Sequence, residues 1–296
     1  MLVCAVGVQA QIMNVSNIER LTVTGDENRI SQAVAISPQG DYILLSTDTK
    51  NGLVKLDLAS GGTKVLTDKP GTGSDVQISS DGQQVVYGEV SYKNKRRYEA
   101  VKTINLASGK SKTLVKPTRD LRGYSAGNSK AVVVTNDQVK TFELTKGVSI
   151  ETSRPVLSHH HLKLYITRDG VTSLFAPNGA DERYIWSSLS PNGKRVLYYV
   201  SGQGAFVCDI DGNNVISMGN LTAPKWWDDD TIIGMDEQDD EYAIIASRIV
   251  ARTLSGEQQV LTGDDIIATS PLPSAQSGKI VFSTPDGQIY LINMSK

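Results

Sequence analysis

One pentapeptide of this chain has the pattern of a catalytic serine. Residues 123–127 read Gly-Tyr-Ser-Ala-Gly, which matches the G-x-S-x-G sequence that holds a hydrolase nucleophile at a sharp turn between a strand and a helix. Here the pentapeptide is followed by an apolar run, Ala131 to Val134, with no helical periodicity after it. We therefore interpret Ser125 as part of a turn and predict no catalytic residue.

The histidines of the chain could ligate a metal ion. There are three, and they are consecutive: His159, His160 and His161. Because adjacent side chains of an extended segment point to opposite sides, only His159 and His161 could share a ligand, and a metal site needs a third and a fourth donor that the sequence does not indicate. These two residues are candidate metal ligands, a solvated turn is the other interpretation, and no cofactor is predicted.

Two further motifs are explained by hairpin turns. The run from Asp209 to Asn213 resembles the start of a calcium-binding loop but lacks the glutamate at the required distance. Gly109-Lys110-Ser111 lacks the earlier glycine of a phosphate-binding loop. Neither motif indicates a ligand site.

The elements that must position these residues are repeated units. Ser37-Pro38-Gln39-Gly40, Ser79-Ser80-Asp81-Gly82 and Ser190-Pro191-Asn192-Gly193 are each followed by an apolar run, and serine, proline and glycine at these positions favour a type I turn. Seven such turns recur at intervals of 32 to 46 residues, which is the spacing of four-stranded propeller blades. Thr284-Pro285-Asp286-Gly287 is similar, but its position predicts a turn between the second and third strands of the last blade.

The two ends of the chain predict how the ring closes. The last blade ends near Ile292 without a fourth strand, whereas Glu19 to Val23 has the character of an edge strand. Sharing one sheet between both ends removes an open edge. We predict an all-β fold: a single domain over 11–296 that forms a seven-bladed β-propeller of four-stranded antiparallel blades, closed by an N-terminal strand that completes the last blade.

The repeat resembles that of the TolB-like (PD40, WD40-like) propeller family. The resemblance rests on Ser-Pro-x-Gly before an apolar strand and on a third strand that ends in Cys208-Asp209-Ile210-Asp211-Gly212-Asn213. Residues 224–230 are in addition a degenerate copy of the family's Pro-x-Trp-Ser-Pro-Asp-Gly motif. It covers nearly all of the chain after residue 10. It implies a bacterial envelope or secreted protein that binds partners, in a family that also includes oligogalacturonate lyases and the propellers of serine peptidases.

Composition and the first residues indicate where the protein acts. A net charge of −2 over 296 residues gives no long-range field for nucleic acid or a membrane surface. Residues 1–10 are apolar and end in Val8-Gln9-Ala10, a signal-peptidase pattern. We interpret them as a signal peptide truncated at its start, with a buried first strand as the alternative, and predict a periplasmic or secreted protein that does not span a membrane. Cys208 is then the one remaining cysteine, which predicts a buried thiol and no internal disulfide.

Charged loops are the remaining candidates for binding. In a propeller the fourth-to-first and second-to-third connections emerge on one face, around the mouth of the channel. Guanidinium groups bind carboxylates well, so arginines in these connections are candidate residues for binding acidic glycans or carboxylate-bearing peptides. They are Arg29, Arg119, Arg122, Arg154 and Arg183. Acidic residues such as Asp75 and Asp120 are interleaved with them, so a solvated surface is the alternative. Candidate partner-binding loops are the basic Lys93, Lys95, Arg96 and Arg97 in blade two and the acidic Asp236, Glu237, Asp239, Asp240 and Glu241 in blade six.

These observations favour one function and leave one alternative. No complete catalytic set can be assembled, so we predict a non-catalytic, periplasmic or secreted binding module with a protein or acidic glycan partner and no nucleic-acid partner. The alternative is a metal-assisted polysaccharide lyase of the oligogalacturonate-lyase type, for which His159 and His161 would have to supply ligands.

Overall fold

The computed structural model of this chain describes residues 11–23, 31–127, 129–135, 138–144 and 155–295. The predicted signal peptide therefore lies outside the described residues. Within them the structure is built of strands, with one short 3₁₀ turn at Ala275–Ser277. No helix of this part of the chain is both long and apolar enough to cross a bilayer.

The strands form seven antiparallel sheets, which are the blades of the propeller. Blade one contains β2 (Gln32–Ile36), β3 (Tyr42–Ser46), β4 (Leu53–Asp57) and β5 (Thr63–Thr67). Blade two contains β6 (Val76–Ile78), β7 (Gln84–Lys93), β8 (Arg96–Asn105) and β9 (Ser111–Thr118). Blade three contains β10 (Leu121–Ala126), β11 (Lys130–Thr135) and β12 (Gln138–Glu143), and blade four contains β13 (Val156–His160), β14 (Lys163–Arg168) and β15 (Val171–Leu174).

The remaining blades complete the circle. Blade five contains β16 (Tyr184–Leu189), β17 (Arg195–Val200), β18 (Gly204–Asp209) and β19 (Ile216–Gly219). Blade six contains β20 (Thr222–Trp226), β21 (Thr231–Asp239), β22 (Ile244–Thr253) and β23 (Gln258–Val260). Blade seven contains β24 (Thr269–Ser274), β25 (Lys279–Ser283), β26 (Ile289–Met294) and, as its fourth strand, β1 (Val15–Arg20).

The blades close into a ring around a central channel. The first strand of every blade contacts the first strand of the next, and β24 contacts β2 to complete the circle. The second strands are sandwiched between neighbouring blades, so that every residue of β3 is buried, because apolar side chains on both faces of a strand must be covered on both faces. The prediction of an all-β, seven-bladed propeller is confirmed.

Closure by the N-terminal strand is also observed. β1 pairs with β26, with Ile18 opposite Ile292, and the backbone N–H of Leu21 donates to the carbonyl of Ile289 at 2.8 Å. The closing strand begins four residues earlier than the predicted Glu19 to Val23, because the pairing extends back to Val15. The segment before it is hydrogen-bonded to blade six. The side-chain oxygen of Gln259 accepts the backbone N–H of Met13, and the side-chain nitrogen of Gln259 donates to the carbonyl of Met13.

The serine of the recurring turn has a structural role. Ser190 is buried, and its hydroxyl donates to the Asn192 side chain at 2.8 Å and accepts the backbone N–H of Arg195 at 3.0 Å. Ser37 and Ser79 make equivalent contacts in their own blades. In these three blades the hydroxyl therefore satisfies the first N–H of the second strand, which explains why a serine recurs at this position.

Replacing this serine should destabilise the fold. Ser190→Ala leaves the Arg195 N–H without its acceptor, so we expect the free energy of unfolding to fall by about 1–3 kcal/mol. Urea denaturation monitored by tryptophan fluorescence measures the loss. Ser201→Ala, at an exposed turn, is the matched control and should stay within about 0.5 kcal/mol of the parent. Equal midpoints for the two variants would contradict this role.

Candidate interaction face

Two hairpins of the propeller are longer than the others. β7 and β8 pair over ten positions, from Gln84 with Asn105 to Lys93 with Arg96, whereas β6 pairs with β7 only as far as Tyr87. The distal half of this hairpin therefore extends beyond the inner strand of its blade. In blade six, β21 and β22 span nine and ten residues. The pairing of β20 with β21 ends at Met235, so this hairpin also extends beyond the inner strand of its blade. Both are second-to-third connections, so they stand on the same face.

The hairpin of blade two is basic at its tip. Lys93, Lys95, Arg96 and Arg97 are all exposed, and Asn94 and Lys95 form the turn with positive φ angles of 50° and 61°, as a type I′ hairpin requires. Arg97 is paired with Glu99 at 2.6 Å. Within the described part of the chain, the other three cations have no ion pair.

The hairpin of blade six is acidic at its tip. Asp236 is paired with Arg248 at 3.0 Å, and Glu237 is half-buried, but Asp239, Asp240 and Glu241 are consecutive and exposed. The Asp240 carboxylate accepts the N–H groups of Tyr242 and Ala243 at 3.1 and 2.9 Å, and these bonds lower its pKa. This carboxylate stabilises the turn, while its two neighbours make no ion pair with any described residue.

Each tip also exposes an aromatic side chain. Tyr92 is 70% exposed and Tyr242 is 94% exposed. Blades two and six are separated by three steps in one direction around the ring of seven and four in the other. The two charged tips therefore stand on nearly opposite sides of the channel mouth, each with a tyrosine that no neighbouring element covers. We call this surface the hairpin face.

The arginines predicted to bind an anion have different environments. Arg122 is engaged by Asp120, with 3.1 Å between Nε and Oδ1, and only 14% of its side chain is accessible. Arg119 and Arg183 are exposed on connections on either side of blades three and four. Arg29 and Arg154 lie outside the described residues. An anion site formed by these residues therefore stays a prediction, and Arg122 is already neutralised by a carboxylate.

A cavity opens on the same face between blades six, seven and one. Its volume is about 1160 Å³, and its wall includes Ala243 and Ile244 at the tip of the acidic hairpin. Asp48 and Asp286, from second-to-third connections of two different blades, also line it. Sequence reasoning missed this cavity because its wall is assembled from residues that are far apart along the chain.

The catalytic and metal-binding motifs are placed on the inner strands. Ser125 lies within β10 opposite Val132, so the prediction that it belongs to a turn was wrong. It does not lie at a strand-to-helix turn either. The Nε2 atom of His159 lies 3.2 Å from the Ser187 hydroxyl of the next blade, and burial lowers the pKa of this histidine. His161 lies in the turn with a φ of 51° and its ring contacts His160. No group of three metal-ligating side chains occurs among the residues that the structure describes.

Cys208 is a buried free thiol, as predicted. Burial raises its pKa to about 12, so the reactive thiolate is scarcely populated at neutral pH. We expect no reaction with Ellman's reagent in the native protein at pH 8 and full reaction of this thiol in denaturant. Fast labelling of the native thiol would contradict this environment.

Comparisons with known proteins bear on the fold. No protein-family model matches the chain, and no curated protein matches it. Among solved structures it is similar to the WD40 repeats of RRP9, with a TM-score of 0.66, 11% identity and coverage of 96% of this chain and 99% of that one. It is also similar to U3-55K, with a TM-score of 0.64, 10% identity and coverage of 95% and 99%.

A third solved structure is an oligogalacturonate lyase in complex with manganese. The TM-score is 0.50 and the identity 14%, over 88% of this chain and 76% of the lyase. At such identities all three similarities concern the propeller fold alone.

Proposed function

We propose that this protein is a non-catalytic binding module of the TolB-like propeller type, exported to the periplasm or secreted, which binds a protein partner through the hairpin face. The observation that carries the proposal is the pair of long hairpins with opposite charge and exposed tyrosine tips. Export is supported by the signal-peptide pattern of residues 1–10.

The physical reasons concern orientation and anchoring. A basic tip and an acidic tip across one face form a dipole that orients a partner of complementary charge before contact, which increases the association rate and suppresses wrong orientations. Tyrosine carries a large apolar surface at low entropic cost and is enriched among energetically dominant interface residues. Tyr92 and Tyr242 are suited to that role because their exposed surface, 70% and 94%, remains available for burial.

Site-specific photo-crosslinking in the organism of origin tests the proposal. A photoreactive phenylalanine analogue at position 92 and, separately, at position 242 should capture the same partner, because both positions lie on one face. The same analogue at Lys110, which is exposed in a third-to-fourth turn on the opposite face, is the matched control and should not capture it. Unrelated adducts from positions 92 and 242, or an equal adduct from position 110, would overturn the proposal.

Charge reversal should weaken capture of that partner. We expect Lys93→Glu with Arg96→Glu, or Asp239→Lys with Glu241→Lys, to reduce the crosslinked yield by about tenfold or more, since each reverses the field at one tip. Lys110→Glu should leave the yield unchanged. The comparison is made at low and high salt, because screening should shrink the difference. Unchanged yields in both tip variants would contradict an electrostatic role.

An acidic glycan or peptide remains the second class of partner. Binding of oligogalacturonates and acidic peptides to the immobilised protein tests for this second class of partner. The variants Arg119→Ala and Arg183→Ala each remove one exposed guanidinium group. The lyase alternative receives no support from the described residues, since His159 contacts Ser187 and no cluster of three ligands accompanies it among them. Formation of unsaturated uronate product with added manganese would reinstate that alternative.

A further inference from the structure

Blade four ends in an open sheet edge. Its sheet has three strands, with β15 on the outer side. Residues 175–183, which connect β15 to the first strand of blade five, contain no strand. Within the described part of the chain, the outer side of β15 therefore has no neighbouring strand.

The backbone groups on this open side follow from the pairing of β15 with β14. The N–H of Phe175 donates to the carbonyl of Leu164 at 2.9 Å, so the backbone groups of Phe175 point toward β14. Because this direction alternates along an antiparallel strand, Ser173 also points toward β14, whereas Thr172 and Leu174 point outward. No described residue makes a hydrogen bond to the N–H or carbonyl group of these two residues.

The outermost described strand of every other blade is protected by charge or by a covering group. Charged residues occur in β1, β5, β9 and β12, among them Glu19, Lys64, Lys112 and Lys140. The Met218 carbonyl of β19 accepts the guanidinium group of Arg252, and Gln259 of β23 is hydrogen-bonded to the backbone of Met13. The sequence of β15 is Val-Thr-Ser-Leu, without the charges or proline that usually prevent edge pairing.

β15 also exposes apolar side chains. Val171 is 70% exposed and Leu174 is 47% exposed. An uncharged open edge accepts a further strand through main-chain hydrogen bonds. The strand that suits this edge is itself uncharged, has high β-propensity and is free on one side. β15 of a second copy of the chain has all three properties.

We propose that two copies of this chain pair through β15, antiparallel and about a twofold axis. Thr172 of each copy lies opposite Leu174 of the other, so that their outward N–H and carbonyl groups satisfy one another. Ser173 lies on the axis, opposite its own counterpart. The two three-stranded sheets become one sheet of six strands, and because each chain contributes this edge once, the pairing closes and does not propagate. The surface is separate from the hairpin face, and the proposal does not depend on the proposed function.

Charge substitutions at Ser173 test this pairing, because the residue lies opposite itself. Ser173→Lys and Ser173→Glu each place like charges opposite one another, so each variant alone should be monomeric. An equimolar mixture of the two should form dimers again. Sedimentation equilibrium over a series of concentrations measures the association, since an edge of four residues gives a small, reversible interface. Ser201→Lys and Ser201→Glu, at an exposed turn, are the matched controls and should associate as the parent does.

A cysteine at the same position captures the dimer covalently. Residues opposite each other in a non-hydrogen-bonded antiparallel pair have Cα atoms about 4.5 Å apart, which a disulfide can span. Ser173→Cys, prepared from residue 11 onward so that it lacks Cys4, should therefore form a disulfide-linked dimer under mild oxidation. Cys208 is buried, and Ser201→Cys is the control that should stay monomeric.

Circular dichroism of each variant separates loss of pairing from loss of folding. Variants at Ser173 should keep the spectrum of the parent, because the side chain is exposed. A monomeric parent together with equal crosslinking of Ser173→Cys and Ser201→Cys would overturn the proposal, including the case in which this edge takes a strand from another protein. A dimer that persists in both single charge variants would overturn it as well.

Discussion

A disulfide between cysteines placed at Asn17 and Asn293 is expected to raise the free energy of unfolding by about 2–4 kcal/mol. These residues lie directly opposite each other in β1 and β26, and the Asn293 side chain already donates to that of Asn17 at 2.8 Å. The bond would join the two ends of the ring. Because nearly the whole chain lies inside the closed loop, the unfolded state would lose much of its conformational freedom.

The experiment compares oxidised and reduced forms of the same variant. The variants are prepared from residue 11 onward so that they lack Cys4, and buried Cys208 does not compete for pairing. Thermal unfolding with and without reductant gives the difference, which should be several degrees. The single variants Asn17→Cys and Asn293→Cys control for the lost amide hydrogen bond. Failure of the disulfide to form under mild oxidation would contradict the pairing of β1 with β26.

The parts of this fold that sequence could predict are those with local causes. The Ser-Pro-x-Gly turns were recognisable because a buried hydroxyl must accept an N–H five residues later, as Ser37 does from Tyr42 at 3.2 Å. The similar turn at Thr284 was correctly placed between the second and third strands of the last blade, since β25 precedes it and β26 follows. The closing strand was predicted at Glu19 to Val23 and lies at Val15–Arg20. Its bounds depend on pairing with β26, which is 270 or more residues away along the chain.

The hairpin face was only partly predictable. Its charged residues could be assigned to two loops, yet Lys93 and Arg96 lie in strands. Lysine and arginine have no particular β-propensity, so the length of this hairpin becomes evident only from its cross-strand pairs. The sequence did not indicate that Tyr92 and Tyr242 are exposed at the tips, because exposure is a property of the folded chain.

A second cavity, of about 610 Å³ among the inner strands of blades two to six, had no signal in the sequence. Its wall includes Gln77 of blade two and Trp226 of blade six, which are 149 positions apart along the chain. These two residues line one space only because blades two and six are held in a closed ring. Juxtapositions of this kind follow from the curvature of the whole ring and not from any local pattern.

Phe282→Ala is expected to reduce the free energy of unfolding by about 3–5 kcal/mol. Phe282 is completely buried in β25, and its ring is stacked on that of Tyr290 with 5.2 Å between centroids. It packs in a cluster that joins blade seven to Ile233 of blade six and to Met13 of the closing segment. Truncation would leave a cavity at the point where the two ends of the ring meet.

Chemical denaturation of three variants measures this loss. Phe282→Leu conserves most of the volume and should cost less than about 1.5 kcal/mol, while Tyr92→Ala, at the exposed tip of the basic hairpin, should change stability by less than about 0.5 kcal/mol. A Phe282→Ala loss as small as that of Tyr92→Ala would contradict the packing of this cluster.

Combining Phe282→Ala with the Asn17–Asn293 disulfide shows how the ring unfolds. The disulfide acts on the unfolded chain, whereas the truncation acts on the folded core, so the two effects should add if all seven blades unfold together. If blade seven instead opens first, the disulfide would block that opening. It would then raise the free energy of unfolding of the Phe282→Ala variant by more than it raises that of the parent. We expect simple addition, because Met13 and Gln259 tie the closing segment to blade six as well as to blade seven.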